Sequence, residues 1–389
     1  MRRHAASIRT IPLVILATIG PWVGVTSGDL VPPPGWNRPD CTIVRGGAGA
    51  VTYTGDDGKT LTPTGQQLVA TTYTYSVAAL DLPNVLLAVH DDKLLLSRDA
   101  GCTWGAAGLV ESDWARLVPV ASGGAYAWGD NRRYLARIDV GSTGAAITTL
   151  ALPLSSAGVV GFAAEPGDER HLRVGLSDGT TWDSADGGAA WMMTGSAPVD
   201  VSYAYRVAFD PRDPNHMLLG ASSKGAFVST DGGRSWVPST GLSASGGFVN
   251  VFAAVISPAD GSMVWCEGID MGASGDEGIR HIYLSRDGGA SFAPVVTETT
   301  GLILANGTPM WAHPTLANVL YFSFGAGQIP HIGPYGSDLF RYNARTKRLK
   351  KAHNDLYHRI FDIAFSPEDP SMLYLAVSHE VIEATEAGP

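Results

Sequence analysis

The chain has 389 residues, of which 45% are hydrophobic and only 16% are charged, and it contains 47 glycines and 24 prolines. Turn-forming residues are spread along the chain rather than collected in one linker, which favours a single all-β unit over two domains. The net charge of −10 at pH 7 argues against nucleic acid or an anionic membrane as the partner, because both need a basic face.

The N-terminus has the pattern of an export signal. Three arginines precede an apolar run from Ile11 to Val25, and small residues before Gly28 offer a cleavage site. Two prolines interrupt the run, which is shorter than the roughly 20 apolar residues of a spanning helix. We predict a signal peptide over residues 1–27 and an exported protein, secreted or periplasmic, with a retained anchor as the alternative. Cleavage would change the net charge from −10 to −13, because it removes three arginines and no acid.

One eight-residue pattern, S-x-D-x-G-x-x-[WF], occurs four times. Its residue types suit a β-hairpin turn: the aspartate accepts hydrogen bonds from nearby backbone N–H groups, glycine supplies a positive φ, and the aromatic residue begins the returning strand. The pattern therefore predicts a structural role. Its residues are Ser97, Asp99, Gly101 and Trp104, then Ser184, Asp186, Gly188 and Trp191, then Ser229, Asp231, Gly233 and Trp236, and finally Ser285, Asp287, Gly289 and Phe292.

This repeat resembles the Asp-box, or BNR repeat, of sialidases, sortilin-type receptors, xyloglucanases and a photosystem assembly factor. In that superfamily the box lies between the two outer strands of a propeller blade, away from the functional face. The resemblance implies a β-propeller with structural boxes. The superfamily's functions are too diverse to be transferred on this motif alone.

A second repeat sets the period. Short apolar strands end in proline turns at positions 166, 211, 258, 314 and 367, which are 45, 47, 56 and 53 residues apart. Periods of this length with about four short strands each are typical of propeller blades. Six units follow, at about 77–106, 116–150, 160–194, 207–238, 251–296 and 309–351.

The seventh blade is predicted to be split between the two ends of the chain. Its inner strands fall at about 360–382, and its outer strands come from residues 51–62, which contain a degenerate box without the aromatic residue. Joining the two ends closes the ring and removes exposed sheet edges. We predict one seven-bladed propeller over residues 51–382, with six or eight blades as alternatives, an N-terminal extension at 28–50 and a C-terminal tail at 383–389.

Three cysteines allow at most one disulfide, and three pairings are conceivable. We favour Cys41 with Cys102, because the blade count places the start of the chain beside the first blade. We expect no metal and no cofactor, since no cluster of His and Cys has the spacing of a zinc site.

Function is expected on the face opposite the boxes, where the loops between second and third strands and the blade-to-blade connections lie. Aromatic and arginine side chains there suit a glycan or a peptide, since rings stack on sugars and arginine grips carboxylates. The ligand-binding candidates are Arg116, Tyr203, Tyr205, Arg206, Arg280, His281, His331, Tyr335, Tyr357, His358 and Arg359.

An enzymatic function would require catalytic side chains in a defined arrangement. Glycoside hydrolysis usually takes two carboxylates about 5–10 Å apart, and a Gly-rich insertion predicted in the fifth unit offers Glu267, Asp270, Asp276 and Glu277. The sialidase resemblance would add an [FY]-R-I-P segment, which the sequence lacks, and an arginine triad. Arg116, Arg206 and Arg359 all lie near the starts of innermost strands, although in different registers.

These observations favour an exported, monomeric, non-catalytic scaffold that recognises a protein or a glycan. An extracellular glycoside hydrolase is the second hypothesis. A modulator of a secreted protease is the third.

Overall fold

The computed structural model describes residues 35–66, 73–112, 114–243, 248–271, 279–300, 302, 304, 309–323, 327–329, 333–335, 337–355 and 358–379. At positions 279, 327–329, 333–335, 337, 338, 353–355, 358, 359 and 379 it describes the backbone only. The predicted signal peptide and the tail at 383–389 lie outside the described residues.

The described chain is almost entirely β-structure, with two single-turn 3-10 helices at Gly47–Gly49 and Glu298–Thr300. The strands, in chain order, are β1 (Val51–Thr54); β2 (Thr74–Ala79), β3 (Leu86–His90), β4 (Lys93–Ser97) and β5 (Gly105–Leu109); β6 (Ala115–Pro119), β7 (Ala125–Gly129), β8 (Leu135–Val140) and β9 (Ala145–Thr149); β10 (Val159–Glu165), β11 (Asp168–Leu176), β12 (Thr180–Ser184) and β13 (Met192–Ser196); β14 (Ala204–Asp210), β15 (Asp213–Ala221), β16 (Gly225–Ser229) and β17 (Val237–Pro238); β18 (Val249–Ile256), β19 (Val264–Asp270), β20 (Ile279–Ser285) and β21 (Ala293–Val296); β22 (Met310–Ala312), β23 (Val319–Ser323), β24 (Gly327–Ile329), β25 (Gly333–Tyr335), β26 (Ser337–Asn343) and β27 (Arg348–Asp355); and β28 (His358–Phe365) and β29 (Leu373–His379).

Apart from the small hairpin β24–β25, the described strands form seven antiparallel sheets, the blades of a propeller, and the predicted fold class is confirmed. Blades 1 to 5 are β2–β5, β6–β9, β10–β13, β14–β17 and β18–β21, each in chain order. Blade 6 has the order β22-β23-β26-β27, with the small hairpin β24–β25 inserted between its second and third strands. Blade 7 has the order β28-β29-β1.

A hydrophobic cluster fills each interface between successive blades of the described chain. For example, Trp265 of blade 5 meets the ring of Tyr342 of blade 6 edge-on, with centroids 6.2 Å apart. Between blades 7 and 1, Tyr374 packs with Leu86 and Trp104. Because the last blade packs on the first in the same way, the ring is closed.

The ends of the chain meet in blade 7, as predicted. Strand β1 pairs antiparallel with β29, with Val51 opposite Ala376 and Thr54 opposite Leu373. Two outer strands were expected from residues 51–62, but only β1 forms a regular strand; beyond it, Thr62 N–H donates to Tyr53 O at 2.8 Å. Blade 7 therefore has three described strands.

Each Asp-box is held by the same hydrogen bonds. In blade 4, Ser229 Oγ donates to Asp231 Oδ1 at 2.9 Å and accepts from Gly233 N–H at 2.9 Å. Asp231 Oδ1 also accepts from Ser235 N–H at 2.9 Å. Gly233 has φ +85°, the left-handed region that the turn requires.

The degenerate box in blade 7 repeats this geometry without its aromatic residue. Thr54 replaces the serine, and its Oγ1 donates to Asp56 Oδ1 and accepts from Gly58 N–H, both at 2.9 Å. Thr60 N–H donates to Asp56 Oδ1 at 2.9 Å. The hydrogen-bonded turn therefore forms without the ring.

The N-terminal extension is fastened to the ring. Cys41 and Cys102 form a disulfide across 61 residues of sequence, the pairing that the blade count favours. Trp36 is buried between blades 1 and 7, and Arg38 forms an ion pair with Asp369. The third cysteine, Cys266, is buried and free.

Candidate functional site

The face opposite the boxes, here called the loop face, is where each innermost strand begins. The strand directions of blades 1 to 5 place the proline turns and the box turns on one face, and the connections between blades on the other. Arg116 and Arg206 were predicted near the starts of innermost strands, and Tyr205 was predicted in a connection between blades. All three lie within the first three residues of β6 and β14.

An arginine pair and one aspartate meet near the ring centre on this face. Asp130, which follows β7, accepts from Arg116 Nε at 2.6 Å and from Arg206 Nη2 at 3.2 Å. Arg206 belongs to blade 4 and Asp130 to blade 2, so this contact passes over blade 3. Burial works to raise the pKa of Asp130, but the charges of Arg206 and Arg116 outweigh it and hold this pKa at about 2.

A second buried carboxylate extends this network to blade 7. Asp362, in the middle of β28, accepts from Ser76 Oγ at 2.5 Å and from Trp311 Nε1 at 2.8 Å. Burial raises its pKa, although the charge of Arg116 and these hydrogen bonds oppose the shift. Two arginines and two carboxylates thus interact, and their formal charges balance. Arg206 ties blade 4 to blade 2 through Asp130, whereas Arg116 and Asp130 belong to the same blade.

Asp362 was not among the predicted site residues. A signal was present: when the blades are aligned on their proline turns, Asp362 occupies the position of Arg206. Equivalent positions of different blades converge on the axis of the ring, so opposite charges at one register position indicate a central ion network. The predicted third arginine, Arg359, lies in β28, and its side chain is outside the described residues.

Two aromatic groups lie on the loop face. In the first, Tyr75 stacks on Trp114 and on Phe361, with centroids 5.0 and 4.8 Å apart. The guanidinium of Arg132 lies 5.0 Å above the Trp114 ring. Trp114 keeps 41% of its surface exposed. A flat ring backed by other rings and covered by a cation can bind an apolar or sugar surface.

The second group comes from blades 4 and 5. Tyr205 packs against Tyr203 and Phe252, with centroids 5.2 and 4.3 Å apart. Tyr203 Oη also donates to Asn131 Oδ1 at 2.9 Å, which joins this group to the loop that carries Asp130. Nearby in sequence, Phe248 in the connection to blade 5 is 66% exposed. The predicted candidates Tyr203 and Tyr205 therefore belong to one aromatic surface.

The predicted acidic loop of blade 5 is corrected by the structure. Glu267 and Asp270 were expected in a flexible loop, but they lie in β19 and are 0% and 5% exposed. The hydrophobic neighbours on both sides, such as Trp265 and Ile269, extend the strand pattern past the point where the acids suggested a loop. The two acids are therefore not presented to solvent as a catalytic pair. Asp276 and Glu277 lie outside the described residues.

The other candidates of this region are strand residues. Arg280 and His281 lie in β20, and His281 Nε2 contacts Glu298 Oε1 at 2.8 Å. Tyr335 lies in β25 and His358 in β28, and only their backbone is described. His331 and Tyr357 lie outside the described residues. In the described part of the chain, no group of three or more His, Cys, Asp or Glu residues could hold a metal ion. Over the same residues, no helix is long and apolar enough to cross a membrane.

Comparison with known proteins gives one sequence relative and several structural ones. The chain is 47% identical over 349 residues to the dispase autolysis-inducing protein of Streptomyces mobaraensis, which covers 88% of this chain and 90% of that protein. No protein-family model matches the chain.

Two solved structures have similar folds. YCF48 bound to a D1 peptide superposes with a TM-score of 0.54 at 13% identity, over 86% of this chain and 99% of that one. A GH74 enzyme of Niastella koreensis superposes with a TM-score of 0.57 at 14% identity, over 80% of this chain and 52% of the enzyme. The chain thus spans about half the length of that enzyme. At these identities the two likenesses show the propeller fold alone.

Proposed function

The chain belongs to the family of the dispase autolysis-inducing protein, and from this membership we propose that it is an exported binding protein that contacts a protease and promotes its self-cleavage. The observation that carries the proposal is the 47% identity over nearly the whole length of both proteins. This proposal favours the third of the hypotheses drawn from the sequence, and it keeps the non-catalytic scaffold of the first.

The loop face supports the proposal as the contact surface. It combines rigid aromatic rings with arginines whose positions are fixed by Asp130. Aromatic residues and arginine are the residue types that contribute most to binding energy at protein interfaces. The closed propeller holds these aromatic and arginine side chains in place before binding, which lowers the conformational entropy lost on association.

Promotion of self-cleavage requires a preference between two states of the protease. A binding partner shifts a conformational equilibrium only by the difference in its affinity for the two conformers. If the cleavage-susceptible conformer is bound about 100-fold more tightly, its population relative to the resistant one rises by the same factor, which corresponds to about 2.7 kcal/mol. The scaffold itself then needs no catalytic group.

The experiment that tests this proposal follows intact dispase with time, by mass spectrometry, with and without the chain. We expect dispase to fragment faster in the presence of the chain. An inhibitor of the dispase active site should abolish the fragmentation, because the protease cuts itself. An unchanged dispase half-life would contradict the proposal. Fragmentation that persists with the inhibitor would instead assign the cleavage to the chain.

Export is part of the same proposal. A disulfide between Cys41 and Cys102 suits an oxidising compartment, and a protease-modulating protein acts where its protease is. N-terminal sequencing of the protein from culture medium should find Gly28 as the first residue. A chain that stays in the cells with Met1 intact would contradict this part.

Glycan recognition is the second candidate function. Trp114 is 41% exposed, and its ring together with the Arg132 guanidinium above it can contact a sugar. Titration of the chain with a panel of glycans, followed by tryptophan fluorescence, separates the two candidates. A glycan that binds the chain and that Trp114→Ala no longer binds would favour this second function.

A further inference from the structure

The outer hairpin of blade 6 is basic, in a chain whose net charge is −10. Residues 341–351 contain six of the 27 lysines and arginines of the whole sequence and no acid. They form the end of β26, the turn at 344–347 and the start of β27. The hairpin turn lies at the position that an Asp-box occupies in other blades, on the face opposite the loop face.

Two of these cations are used within the fold. Arg341 and Lys350 lie directly opposite each other on β26 and β27, a like-charge pair that by itself is unfavourable. Asp57, from the N-terminal segment, compensates: its carboxylate lies 3.6 Å from Arg341 Nε and 3.4 Å from Lys350 Nζ. Asp57 thus accounts for the charge of these two residues.

For three further cations, no acidic partner is found among the described side chains. Arg345, Lys347 and Arg348 are exposed, and no ion pair joins them to an acid anywhere in the described ranges. The turn backbone is fixed, because Asn343 Oδ1 accepts from Arg345 N–H at 3.0 Å and from Thr346 N–H at 3.1 Å. Their positive charge is therefore held in one place on the surface.

The edge of β27 adds a second observation. In the described sheets β27 pairs with β26 alone, which makes it the outer edge strand of blade 6. It is eight residues long, whereas the outer strands of blades 1 to 5 have two to five residues and no charged side chain. Those blades protect their outer edges by short strands, and the cations within β27 can protect its longer edge. Arg345 and Lys347 lie in the turn rather than on that edge, so edge protection does not account for them.

We propose that β27 and its turn dock an extended acidic segment of a partner protein. The segment would add a strand to blade 6 through backbone hydrogen bonds, and its Asp or Glu side chains at alternate positions would meet the cations of the hairpin. This surface is separate from the loop face, so the proposal does not depend on the function proposed above.

The probe for this proposal is a labelled eight-residue peptide of alternating Glu and Thr, with a Gln–Thr peptide and inorganic polyphosphate as comparisons. Fluorescence anisotropy measures binding to the whole chain. We expect the Glu peptide to bind, the Gln peptide to bind much more weakly, and the affinity to fall as salt is raised from 50 to 500 mM.

Two matched triple variants locate the site. Arg345→Gln/Lys347→Gln/Arg348→Gln should weaken binding about ten-fold, since each exposed ion pair contributes modestly. Arg45→Gln/Lys93→Gln/Arg234→Gln removes the same charge from exposed positions elsewhere and should change the affinity less than about two-fold. Hydrogen exchange in β27 should slow when the Glu peptide is bound, because its edge amides become paired.

Three results would overturn the proposal. Equal loss of binding in both triple variants would show that the peptide responds to the net charge of the protein and not to this hairpin. Binding without slower exchange in β27 would exclude strand addition. Binding of polyphosphate but not of the Glu peptide would make the hairpin a polyanion site rather than a docking edge for protein.

Discussion

The aspartate of each box acts through hydrogen bonds that close its turn. Asp231 accepts from Ser229 Oγ, Ser235 N–H and Ser235 Oγ, the last at 2.5 Å. Asp231→Ala should lower the free energy of unfolding by about 1–3 kcal/mol, because these donors lose their acceptor. Urea denaturation measures this change, with the exposed Asp81→Ala as control. A large loss of protease binding with unchanged stability would contradict the structural role of the box.

Asp130 makes the free energy of unfolding depend on pH in the acidic range. Its pKa of about 2 in the folded state lies below the ordinary aspartate value of 3.8. The stabilisation is therefore fully present above about pH 4 and is lost as the pH falls towards 2. We expect the stability difference between the wild type and Asp130→Asn to shrink by about 2 kcal/mol over this range. Urea denaturation at several pH values tests it, and a difference that does not vary with pH would contradict the ion network.

At the scale of single elements, glycines set the distance between neighbouring blades. A Cβ on Gly220 of β15 would lie 2.5 Å from Val251 O of the next blade, and one on Gly175 of β11 would lie 2.5 Å from Val207 Cγ2. The second strand of blades 3 and 4 therefore needs a residue without a side chain where the next innermost strand packs against it.

Gly220→Ala should consequently destabilise the protein by about 1–3 kcal/mol, because a backbone carbonyl has to move. Gly105→Ala in β5 is the matched control, since a Cβ there meets nothing within 4 Å. Thermal unfolding of both variants measures the effect. Equal melting temperatures of the two variants would show that the blades can separate without cost.

At the scale of the whole molecule, the ring depends on its N-terminal segment. Residues 35–66 supply β1, the disulfide partner Cys41, and Asp57, which accepts from Tyr321 Oη of blade 6 at 2.6 Å. A chain that begins at residue 67 should lose cooperative unfolding, because the edge of β29 and the core between blades 7 and 1 become exposed.

Reduction of the disulfide in the full chain is the control for that truncation. It should cost only about 2–4 kcal/mol and leave the unfolding transition cooperative. Calorimetry distinguishes the two cases. A truncated chain that melts in one transition at the wild-type temperature would show that the ring closes without β1.

The architecture could be predicted from the sequence because the same turn motifs recur in most blades. The spacing of the proline turns and the boxes fixes the number of blades, and the box at Asp56 identifies the strand that closes the ring. The site could be predicted only in part. The positions of Arg116 and Arg206 near the starts of innermost strands follow from the repeat. The contact of Arg206 with Asp130 crosses an intervening blade, and no local sequence pattern indicates such a contact. The prediction of Glu267 in a loop was wrong, because its charge suggested exposure to solvent. In the structure Glu267 is buried in β19.

The measurement that tests the proposed function most directly compares two pairs of exposed apolar residues. Trp114→Ala/Phe248→Ala alters the loop face, and Met192→Ala/Val237→Ala alters the box side of blades 3 and 4, where these residues are 70% and 61% exposed. Each variant is incubated with dispase, and the half-life of intact dispase is recorded. We predict that the first variant loses most of the acceleration of autolysis and that the second keeps it. Full acceleration by the first variant, or loss in the second alone, would contradict the loop face as the contact surface.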